Sequence, residues 1–432
     1  MVGAELSAAV AVGMGNSAGL DRGCDVLILD AATRQSLATV RSLGQAGLRA
    51  AAGECFAECN PLVPEPAVTF RSRYSARNLV LPSFAEDPGA FADAVVAFVR
   101  ANATRVVIPA MDGSVAALVP RRAELAELGC TLALADDEVL AVANDKHHTL
   151  ELARRLGIAC PRTRRIASAA DIPDVLATFE YPVVLKPTIS WASEGGIRQQ
   201  PVEAASQAEA DQVARELLSA GVPVLVQQYA TGRRESVVLF IENGDIRAVW
   251  AYCAHRTSPQ LGGASALRES IQPPPDILDA ATQLVKAIGL EGFCEVEFRR
   301  DAAGQALLME INARLVGSVG AALWCGVDFP QMIWLWATGQ PVPRLTGYRV
   351  GLRSRWLHGE MRWLRDNVRR AGRPDSVSVP KSIWLFGSEF ARTRHYDCFS
   401  WRDLKPFAAE LRNSAAVIRW SRKQEPGPAR PL

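Results

Sequence analysis

Apolar runs of strand length alternate with amphipathic segments of helical period at the start of the chain. Asp25–Asp30 is a short apolar run, typical of a buried parallel strand. Thr33–Gly47 carries its apolar residues at helical spacing and ends at a glycine. The same order returns later, since Phe84–Asn102 has the helical pattern and Arg105–Ala110 the strand pattern. This alternation predicts an α/β unit built on an open, mostly parallel sheet over residues 23–143.

Alternating apolar and polar residues mark two adjacent strands further along, Phe293–Phe298 and Ala306–Ile311. The charged turn between them predicts a hairpin, which would bring Glu297 and Glu310 close together. Asn312 lies two residues beyond Glu310 and therefore points to the same face of its strand. Two carboxylates and an amide oxygen are hard donors that suit Mg²⁺ beside phosphates. The alternative is a surface hairpin with solvated charges, although a solvated acid is unexpected inside an apolar run.

Two lysines stand at positions that suit the binding of an anion. Residues 144–156 have a helical pattern with Asp145 as the N-cap, which leaves Lys146 in the first turn, against the helix dipole. Lys186 ends an apolar strand, so its ammonium group lies at the strand's edge. The next segment, Thr188–Ile197, is rich in small and hydroxyl residues, as are loops whose N–H groups fold over phosphates. Taken singly, a solvated lysine and an ordinary hairpin turn remain open as alternatives.

Three further charged residues are candidates for substrate contacts. The segment His255–Ser270 has few apolar residues and is expected to be a long irregular loop, a kind of segment that is usually functional. Its Arg256 and Arg268 could hold a substrate carboxylate in a bidentate way, with solvated arginines as the open alternative. Asp112 follows a predicted strand at the edge where open α/β sheets place ligands, but the pattern favours a loop or capping role.

The C-terminal part, residues 344–423, differs in character from the rest. It holds 18 Arg and Lys against 7 Asp and Glu, whereas the whole chain has a net charge of +2. Half of the ten tryptophans also fall here, at Trp356, Trp363, Trp384, Trp401 and Trp420. Such a segment could contact a membrane surface, a nucleic acid or a partner protein. The charge split favours a plainer interpretation, in which the segment packs its aromatic residues onto an acidic main body. Residues 424–432 are expected to be disordered.

Composition narrows the class of protein. The chain has 432 residues, of which 49% are hydrophobic and 22% charged, so it should form two to four folding units. Its nine cysteines show neither a CxxC pair nor zinc spacing, which favours reduced thiols in a cytoplasmic protein. Residues 1–22 lack the basic start of a signal peptide and are expected to be a flexible leader. The turn after the first strand has no G-x-G-x-x-G, so no dinucleotide site is predicted.

Taken in order, Lys146, Lys186, the small-residue loop, Glu235 and the Glu-x-Asn-x-Arg run that ends at Arg314 resemble the ATP-grasp superfamily. That superfamily includes D-alanine ligases, biotin carboxylases, carbamoyl-phosphate synthases and L-amino acid ligases. The resemblance covers Val26–Pro343, about three quarters of the chain. No single motif decides it, and the ordered set carries it.

The resemblance implies an α/β (α+β) architecture. A Rossmann-like open sheet would precede a two-lobed ATP-grasp module, and the basic, Trp-rich C-terminal extension would follow. The implied bounds are 23–143 for the first domain, 144–343 for the module with its lid at about 158–226, and 344–423 for the extension.

The resemblance also implies residue roles, with ATP and Mg²⁺ (or Mn²⁺) as cofactors. The metal would be held by Glu297, Glu310 and Asn312. The expected catalytic residues are Arg314, Lys186, Arg268 and Arg256. The expected nucleotide-binding residues are Lys146, Lys186, Ser190, Ser193, Gly195, Gly196, Gln227, Gln228, Tyr229, Ala230, Glu235 and Leu308. Gln228 departs from the family, which usually carries glutamate at this hinge.

The implied function is that of an ATP-dependent carboxylate–amine ligase, which forms an amide through an acyl phosphate and releases ADP and phosphate. Its partners would be a small carboxylic acid and an amine, amino acids among them, with a homodimer as one option and no nucleic acid. One alternative is a bicarbonate-activating enzyme, although the chain has no tandem module, glutaminase segment or biotinyl-lysine motif. The other is a nucleotide-binding protein without catalytic activity, which Gln228 weakly favours.

Overall fold

Three β-sheets organise the protein, seen in a computed structural model. The structure describes the backbone of residues 23–55, 67–189, 191, 201–219, 221, 223–259, 262–369 and 377–421, with side chains as far as residue 414. The predicted leader (1–22) and the predicted tail (424–432) lie outside these residues.

The first sheet is parallel and has five strands in the order β3-β2-β1-β4-β5, which is the open α/β sheet that the sequence predicts. Its central strands are fully buried, which explains their unbroken apolar runs. The strands are β1 (Val26–Ile28), β2 (Ala50–Cys55), β3 (Ser75–Leu81), β4 (Val106–Ile108) and β5 (Thr131–Leu132). The helices of this part are α1 (Arg34–Gln45), α2 (Pro88–Asn102), α3 (Asp112–Leu118), α4 (Arg122–Glu127) and α5 (Asp137–Asn144).

Helix α6 (Lys146–Arg155) leads from this sheet to a second, antiparallel sheet of four strands. The predicted N-cap is present, since the Asp145 carboxylate accepts hydrogen bonds from the backbone N–H groups of His147 and His148. The strands are β6 (Thr163–Ile166), β7 (Val183–Pro187), β8 (Val202–Ala204) and β9 (Val224–Gln228), in the order β6-β9-β7-β8. Two helices, α7 (Ile172–Leu176) and α8 (Gln207–Ser219), contact this sheet and share its apolar core.

The third sheet has seven strands in the order β14-β13-β10-β11-β12-β15-β16. Its strands are β10 (Arg234–Glu242), β11 (Asp245–Ser258), β12 (Ala264–Ile271), β13 (Gly292–Arg300), β14 (Ala306–Asn312), β15 (Arg353–Arg355) and β16 (His395–Tyr396). All pairs are antiparallel except β15 with β16. The helices that follow β12 and β14 are α9 (Pro275–Ala287), α10 (Val319–Cys325) and α11 (Phe329–Ala337).

The segment His255–Ser270 differs from its prediction, because it is not an irregular loop. Most of it belongs to β11 and β12, which pair as a hairpin around a short connection that includes the undescribed residues 260 and 261. Several of its polar side chains are buried, among them Ser265, Arg268 and Ser270. Ser265 accepts a hydrogen bond from Arg268 within the hairpin, but Arg268 and Ser270 also find partners among residues 349–397, too far along the chain to leave a local pattern.

The C-terminal part continues the third sheet through β15 and β16 and adds α12 (Leu357–Arg369), α13 (Val379–Arg392) and α14 (Lys405–Ser421). It packs onto the main body, as the charge split favoured. The ion pairs, however, have the opposite polarity to the expected basic C-terminal part on an acidic main body. Arginines of the main body meet acids of the C-terminal part: Arg41 with Asp403 at 2.9 Å, Arg34 with Asp397 at 3.0 Å, and Arg256 with Glu360 at 2.6 Å.

Only some of the C-terminal tryptophans take part in this packing. The guanidinium carbon of Arg34 lies 4.4 Å from the ring centre of Trp356, and that of Arg256 lies 4.5 Å from Trp363. Trp384 and Trp401 are 62% and 81% exposed, so the expectation that all these aromatics are packed is wrong for them. The side chain of Trp420 lies outside the described residues.

The eight cysteines within the described residues are free thiols, in keeping with the reduced state expected from their spacing. In the same part of the chain, no helix combines the length and the apolar character needed to cross a membrane.

Candidate active site

The paired strands β13 and β14 place oxygen-bearing side chains side by side. Glu297 stands opposite Glu310 in the ladder, as the hairpin prediction requires, and Glu295 stands opposite Asn312. Because directly opposed residues share a face and alternate residues repeat it, all four side chains lie on one face of the sheet. Glu295 was not predicted from the sequence. It could have been found from its position two residues before Glu297 in the same strand.

The negative charges of the carboxylates on this face are not fully compensated by neighbouring cations. Burial raises the pKa of Glu297, and the charges of Glu310 and Glu295 raise it further, against the lowering effect of Arg234. Arg234 Nη1 lies 3.1 Å from a Glu297 oxygen. Burial also raises the pKa of Glu295, whose carboxylate accepts a hydrogen bond from Tyr252 Oη at 2.6 Å. A bound cation would relieve the repulsion between these groups.

Glu310 differs from Glu295 and Glu297 in the direction of its pKa shift. Burial alone would raise its pKa, but the charges of Lys146, Lys186 and Arg314 outweigh burial and lower it. Lys146 Nζ lies 3.5 Å from a Glu310 oxygen. Glu310 therefore joins the acidic face to a neighbouring group of cations.

The donor set fits a hard divalent cation held together with a ligand. Two carboxylates and an amide oxygen, from Glu297, Glu310 and Asn312, are the ligand types that Mg²⁺ and Mn²⁺ prefer. Within the described residues, no group of three or more His, Cys, Asp or Glu side chains could hold a metal ion. A divalent cation held by these two carboxylates and one amide oxygen would need further ligands, which phosphates and waters commonly supply to Mg²⁺.

The two predicted lysines converge because the segment after β7 meets the start of α6. The backbone N–H of Lys146 donates to the carbonyl of Thr188 at 2.9 Å, and Asp145 forms a β-bridge with Ile189. Lys186 is buried, and its pKa is lowered to about 8 by burial first and by the charge of Lys146 second. Two buried ammonium groups that repel each other form a site suited to an anion with several charges.

Arg314 receives its counter-ion from the first sheet. Its Nε donates to the Asp112 carboxylate at the start of α3. Burial would lower the pKa of Arg314, but the charge of Asp112 and this hydrogen bond outweigh it and raise that pKa. Asp112 is thus not only a loop or capping residue. It begins α3, and it also holds Arg314 beside the acidic face.

The predicted hinge residues lie next to Lys186. Gln227 is buried, and its Oε1 accepts from Lys186 Nζ at 3.0 Å. Gln228 Nε2 donates to the backbone carbonyl of Glu180 at 2.9 Å. Tyr229 and Ala230 lie just after the end of β9 and are half-buried.

Other predicted nucleotide contacts are placed differently. Glu235 pairs with Phe298 in the ladder while its neighbour Ser236 pairs with Glu297, so Glu235 faces the other side of the sheet. There Arg300 Nε donates to it at 2.8 Å. Leu308 is fully buried in the apolar core. The residues predicted for the phosphate loop lie outside the described part of the chain: Ser190, Ser193, Gly195 and Gly196.

Arg256 and Arg268 do not belong to the candidate site. Arg268 is fully buried, where its Nη2 donates to Asp397 and its Nε donates to Ser354 Oγ at 3.1 Å. Arg256 is held by Glu360, as described above. Both guanidinium groups bind acids of the C-terminal part. They are therefore not placed to hold the substrate carboxylate that the irregular-loop prediction assigned to them.

A cavity of about 450 Å³ opens over the acidic face. The third sheet contributes Glu295, Glu297, Glu310 and Asn312 to its lining, followed by Arg314. The other walls come from the first sheet and from the C-terminal part. Lys146 and Lys186 are not among the cavity's lining residues, but both lie close enough to Glu310 to lower its pKa, so a cation pair stands next to the acidic face and the arginine. Such a site can hold a polyphosphate, a divalent cation and a second anionic group together.

Parts of the chain are similar to known proteins. Residues 222–360 match the family model described as "ATP-grasp in the biosynthetic pathway with Ter operon". The chain is 25% identical over 206 residues to a D-alanine–D-alanine ligase of Ectopseudomonas mendocina, covering 45% of this chain and 64% of that one. It is 24% identical over 254 residues to the carbamoyl phosphate synthase large chain of Gemmatimonas aurantiaca, covering 54% and 22%. The chain thus spans less than two thirds of each relative.

Solved structures share the fold. L-amino acid ligase from Bacillus licheniformis superimposes with a TM-score of 0.55 at 18% identity, over 74% of this chain and 75% of that one. Biotin carboxylase from Campylobacter jejuni gives 0.59 at 16% identity, over 76% and 74%. The chain therefore shares its fold with these two proteins, and its residues 222–360 match an ATP-grasp family model.

Proposed function

We propose that the protein is an ATP-dependent ligase that joins a carboxylic acid to an amine. The observation that carries this proposal is that the Glu297–Glu310 pair and Arg314 line one cavity, while Lys146 and Lys186 stand beside Glu310. Phosphoryl transfer depends on positioning and on charge stabilisation more than on covalent catalysis by the protein. These residues supply both signs of charge that the reaction needs.

The reaction would run in two steps. A carboxylate oxygen of the acid attacks the γ-phosphorus of ATP, the bond to the bridging oxygen breaks, and ADP leaves as an acyl phosphate forms. The amine then attacks the acyl carbon, phosphate leaves with the bonding electrons, and the amide nitrogen loses a proton. No step requires a covalent bond to the protein.

The residues of the site divide these tasks. Lys146 and Lys186 hold the phosphates of the nucleotide. Arg314 holds the acyl phosphate and the oxyanion that develops when the amine attacks. Glu297, Glu310 and Asn312 would hold Mg²⁺ or Mn²⁺, which when bound neutralises charge on the phosphate oxygens.

Release of phosphate tests this function. The full chain is incubated with ATP, MgCl₂ and a panel of carboxylic acids, each with and without a panel of amines. We expect phosphate and ADP in equal amounts only when an acid and an amine are both present. Nucleotide binding without turnover on any acid would contradict the ligase and favour a non-catalytic nucleotide-binding protein.

Bicarbonate activation is the second candidate, because a carbamoyl phosphate synthase is among the relatives and a biotin carboxylase shares the fold. The same assay separates the two. Phosphate release driven by bicarbonate alone, with no gain from other acids, would replace the first proposal by the second.

A further inference from the structure

The C-terminal part closes one side of the candidate active-site cavity. Trp356 and His358, at the start of α12, line the cavity together with Glu410 and Asn413 of α14. Glu410 and Asn413 are three residues apart, so they lie on one face of their helix. The proposed ligase chemistry uses none of these four residues.

Glu410 is a buried acid with little to stabilise its charge. It is 4% exposed, and neither carboxylate oxygen accepts a hydrogen bond of normal geometry from the described residues. The thiol of Cys398, a weak donor, and the backbone N–H of His358 lie close enough to lower its pKa, yet burial dominates and raises it to about 7. A buried carboxylate in this condition destabilises the fold unless a ligand provides the missing donors.

Arg34 is the complementary group. It is 7% exposed, lines the same cavity, and stacks on Trp356. Its Nη1 faces Asp397, while no described residue accepts a hydrogen bond from its Nη2. A Cβ atom added at Gly317 would collide with this guanidinium, so Arg34 packs directly against the chain just after Arg314.

The surroundings of Glu410 leave its charge available to a ligand. The charge of Asp397 raises the pKa of Glu410, while that of Arg34 lowers it less than burial raises it. His358 does not supply a counter-charge, because burial lowers its pKa to about 4 and keeps the ring neutral. Its Nδ1 lies 2.9 Å from Ser414 Oγ. Asn413 Oδ1 likewise has no donor within the described residues.

We propose that Glu410 and Arg34 select an acid substrate that also carries an ammonium group. Glu410 binds the ammonium, with Asn413 Oδ1 as a second acceptor, and Arg34 binds the carboxylate. Since Arg34 packs beside the segment after Arg314, the carboxylate end faces the acidic face and the ammonium end faces the C-terminal part. The substrate class is therefore an amino acid whose carboxylate is activated while its own amine is held protonated and cannot react.

This inference rests on the proposed function, and one assay separates the two. Hydroxylamine replaces the unknown amine: it attacks the acyl phosphate, phosphate leaves, and a coloured hydroxamate forms with ferric ion. The panel pairs each standard L-amino acid with its desamino acid, such as alanine with propionate. We expect hydroxamate from amino acids and at least tenfold less from the matched desamino acids, because a charged hydrogen-bond partner is lost.

The Glu410→Gln variant tests the residue. We expect its KM for the amino acid to rise about 10- to 100-fold, with a smaller change in kcat and no change in the affinity for ADP. The Glu410→Asp variant, which keeps the charge, should recover part of the affinity. Glu127→Gln, an exposed acid on α4 that does not line the cavity, is the matched control and should behave as the wild type.

The outcomes are distinct. Equal hydroxamate from amino acids and desamino acids, or an unchanged KM in a folded Glu410→Gln variant, would overturn the ammonium site and leave the ligase intact. Absence of hydroxamate from both halves of the panel, with ADP still bound, would contradict the proposed function and with it this inference.

Discussion

Glu310 links the two charged groups of the candidate site, since Lys146 lies 3.5 Å away and Glu297 stands opposite it. Replacing Glu310 by alanine should lower turnover at least ~10³-fold and weaken Mg²⁺-dependent nucleotide binding, because one metal ligand and the counter-ion of two lysines are lost together. Phosphate release and titration with a fluorescent ATP analogue, with and without EDTA, measure the two effects. Near-wild-type rates would rule out the assignment of Glu310.

Arg314 should show a different pattern. The Arg314→Ala variant should lower turnover ~10²- to 10³-fold while nucleotide binding stays close to wild type, since the lysines that face the phosphates are untouched. The same two assays distinguish the variants. A loss of nucleotide affinity equal to that of Glu310→Ala would show that Arg314 acts on the nucleotide and not on the acyl group.

The charge of Glu410 should make stability depend on pH. Its folded pKa is about 7, above the usual carboxyl value of 4.5, so its protonated form stabilises the fold at low pH and this contribution is lost as pH rises through 7. From about pH 4 to about pH 8 the wild type should lose about 3 kcal/mol that the Glu410→Gln variant retains. Asp397, Cys398, His358 and Arg34 are the groups that face it.

Urea denaturation at a series of pH values measures this difference. Other buried acids titrate in both proteins, so the difference between variant and wild type isolates Glu410. A constant difference across the range would mean that Glu410 has an ordinary pKa in the folded protein. A more stable variant at pH 8 would also show that its rise in KM does not come from misfolding.

At the scale of elements, local signals were enough for the β13–β14 hairpin and for the N-cap of α6. The pattern of each lies within a few residues, so Glu297 and Glu310 could be paired from the sequence. The β11–β12 hairpin could not be found in this way. Its buried Arg268 and Ser270 bond to residues 354 and 349, and only the tertiary fold supplies those partners.

The same reasoning explains why Arg34, Glu410 and Glu295 were missed. Arg34 and Glu410 meet at the cavity although almost the whole chain separates them, and neither belongs to a recognisable motif. Glu295 was closer to reach, since strand period 2 places it beside Glu297. Sequence patterns thus predicted the residues of the proposed phosphate and metal end, while the end that we propose selects the substrate depends on long-range packing.

Asp403 anchors the C-terminal elements to the first sheet. Its carboxylate accepts from Arg41 Nε at 2.9 Å, from Ser72 Oγ at 2.6 Å and from the backbone N–H of Arg73 at 2.9 Å. The Asp403→Asn variant leaves Arg41 buried without its counter-ion, so we expect a loss of about 3 kcal/mol in the free energy of unfolding.

Urea denaturation and limited proteolysis measure this anchor. The control is Asp366→Asn, which removes an acid of the same part of the chain from a more exposed pair with Arg365 and should cost less than about 1 kcal/mol. If the C-terminal elements complete the substrate pocket, Asp403→Asn should also raise the KM for the acid while ADP affinity is kept. Equal stability of the two variants would show that the Arg41–Asp403 pair contributes little.

At the scale of the whole molecule, the Asp112–Arg314 pair couples the first sheet to the third. Asp112 starts α3 and does not line the cavity, so it acts on the reaction only through Arg314. We expect Asp112→Asn to lower kcat about 10-fold with little change in the KM for ATP, and Asp112→Glu to recover part of it.

A double-mutant cycle with Asp112→Asn and Arg314→Ala tests this coupling. Once Arg314 is absent, Asp112 has no catalytic side chain to position, so the second substitution should change kcat much less than it does in the wild type. The coupling energy should reach at least ~1 kcal/mol, the range measured for residues in one ion-pair network. Independent effects on kcat would show that the first sheet supports the fold of the cavity without positioning Arg314 for the reaction.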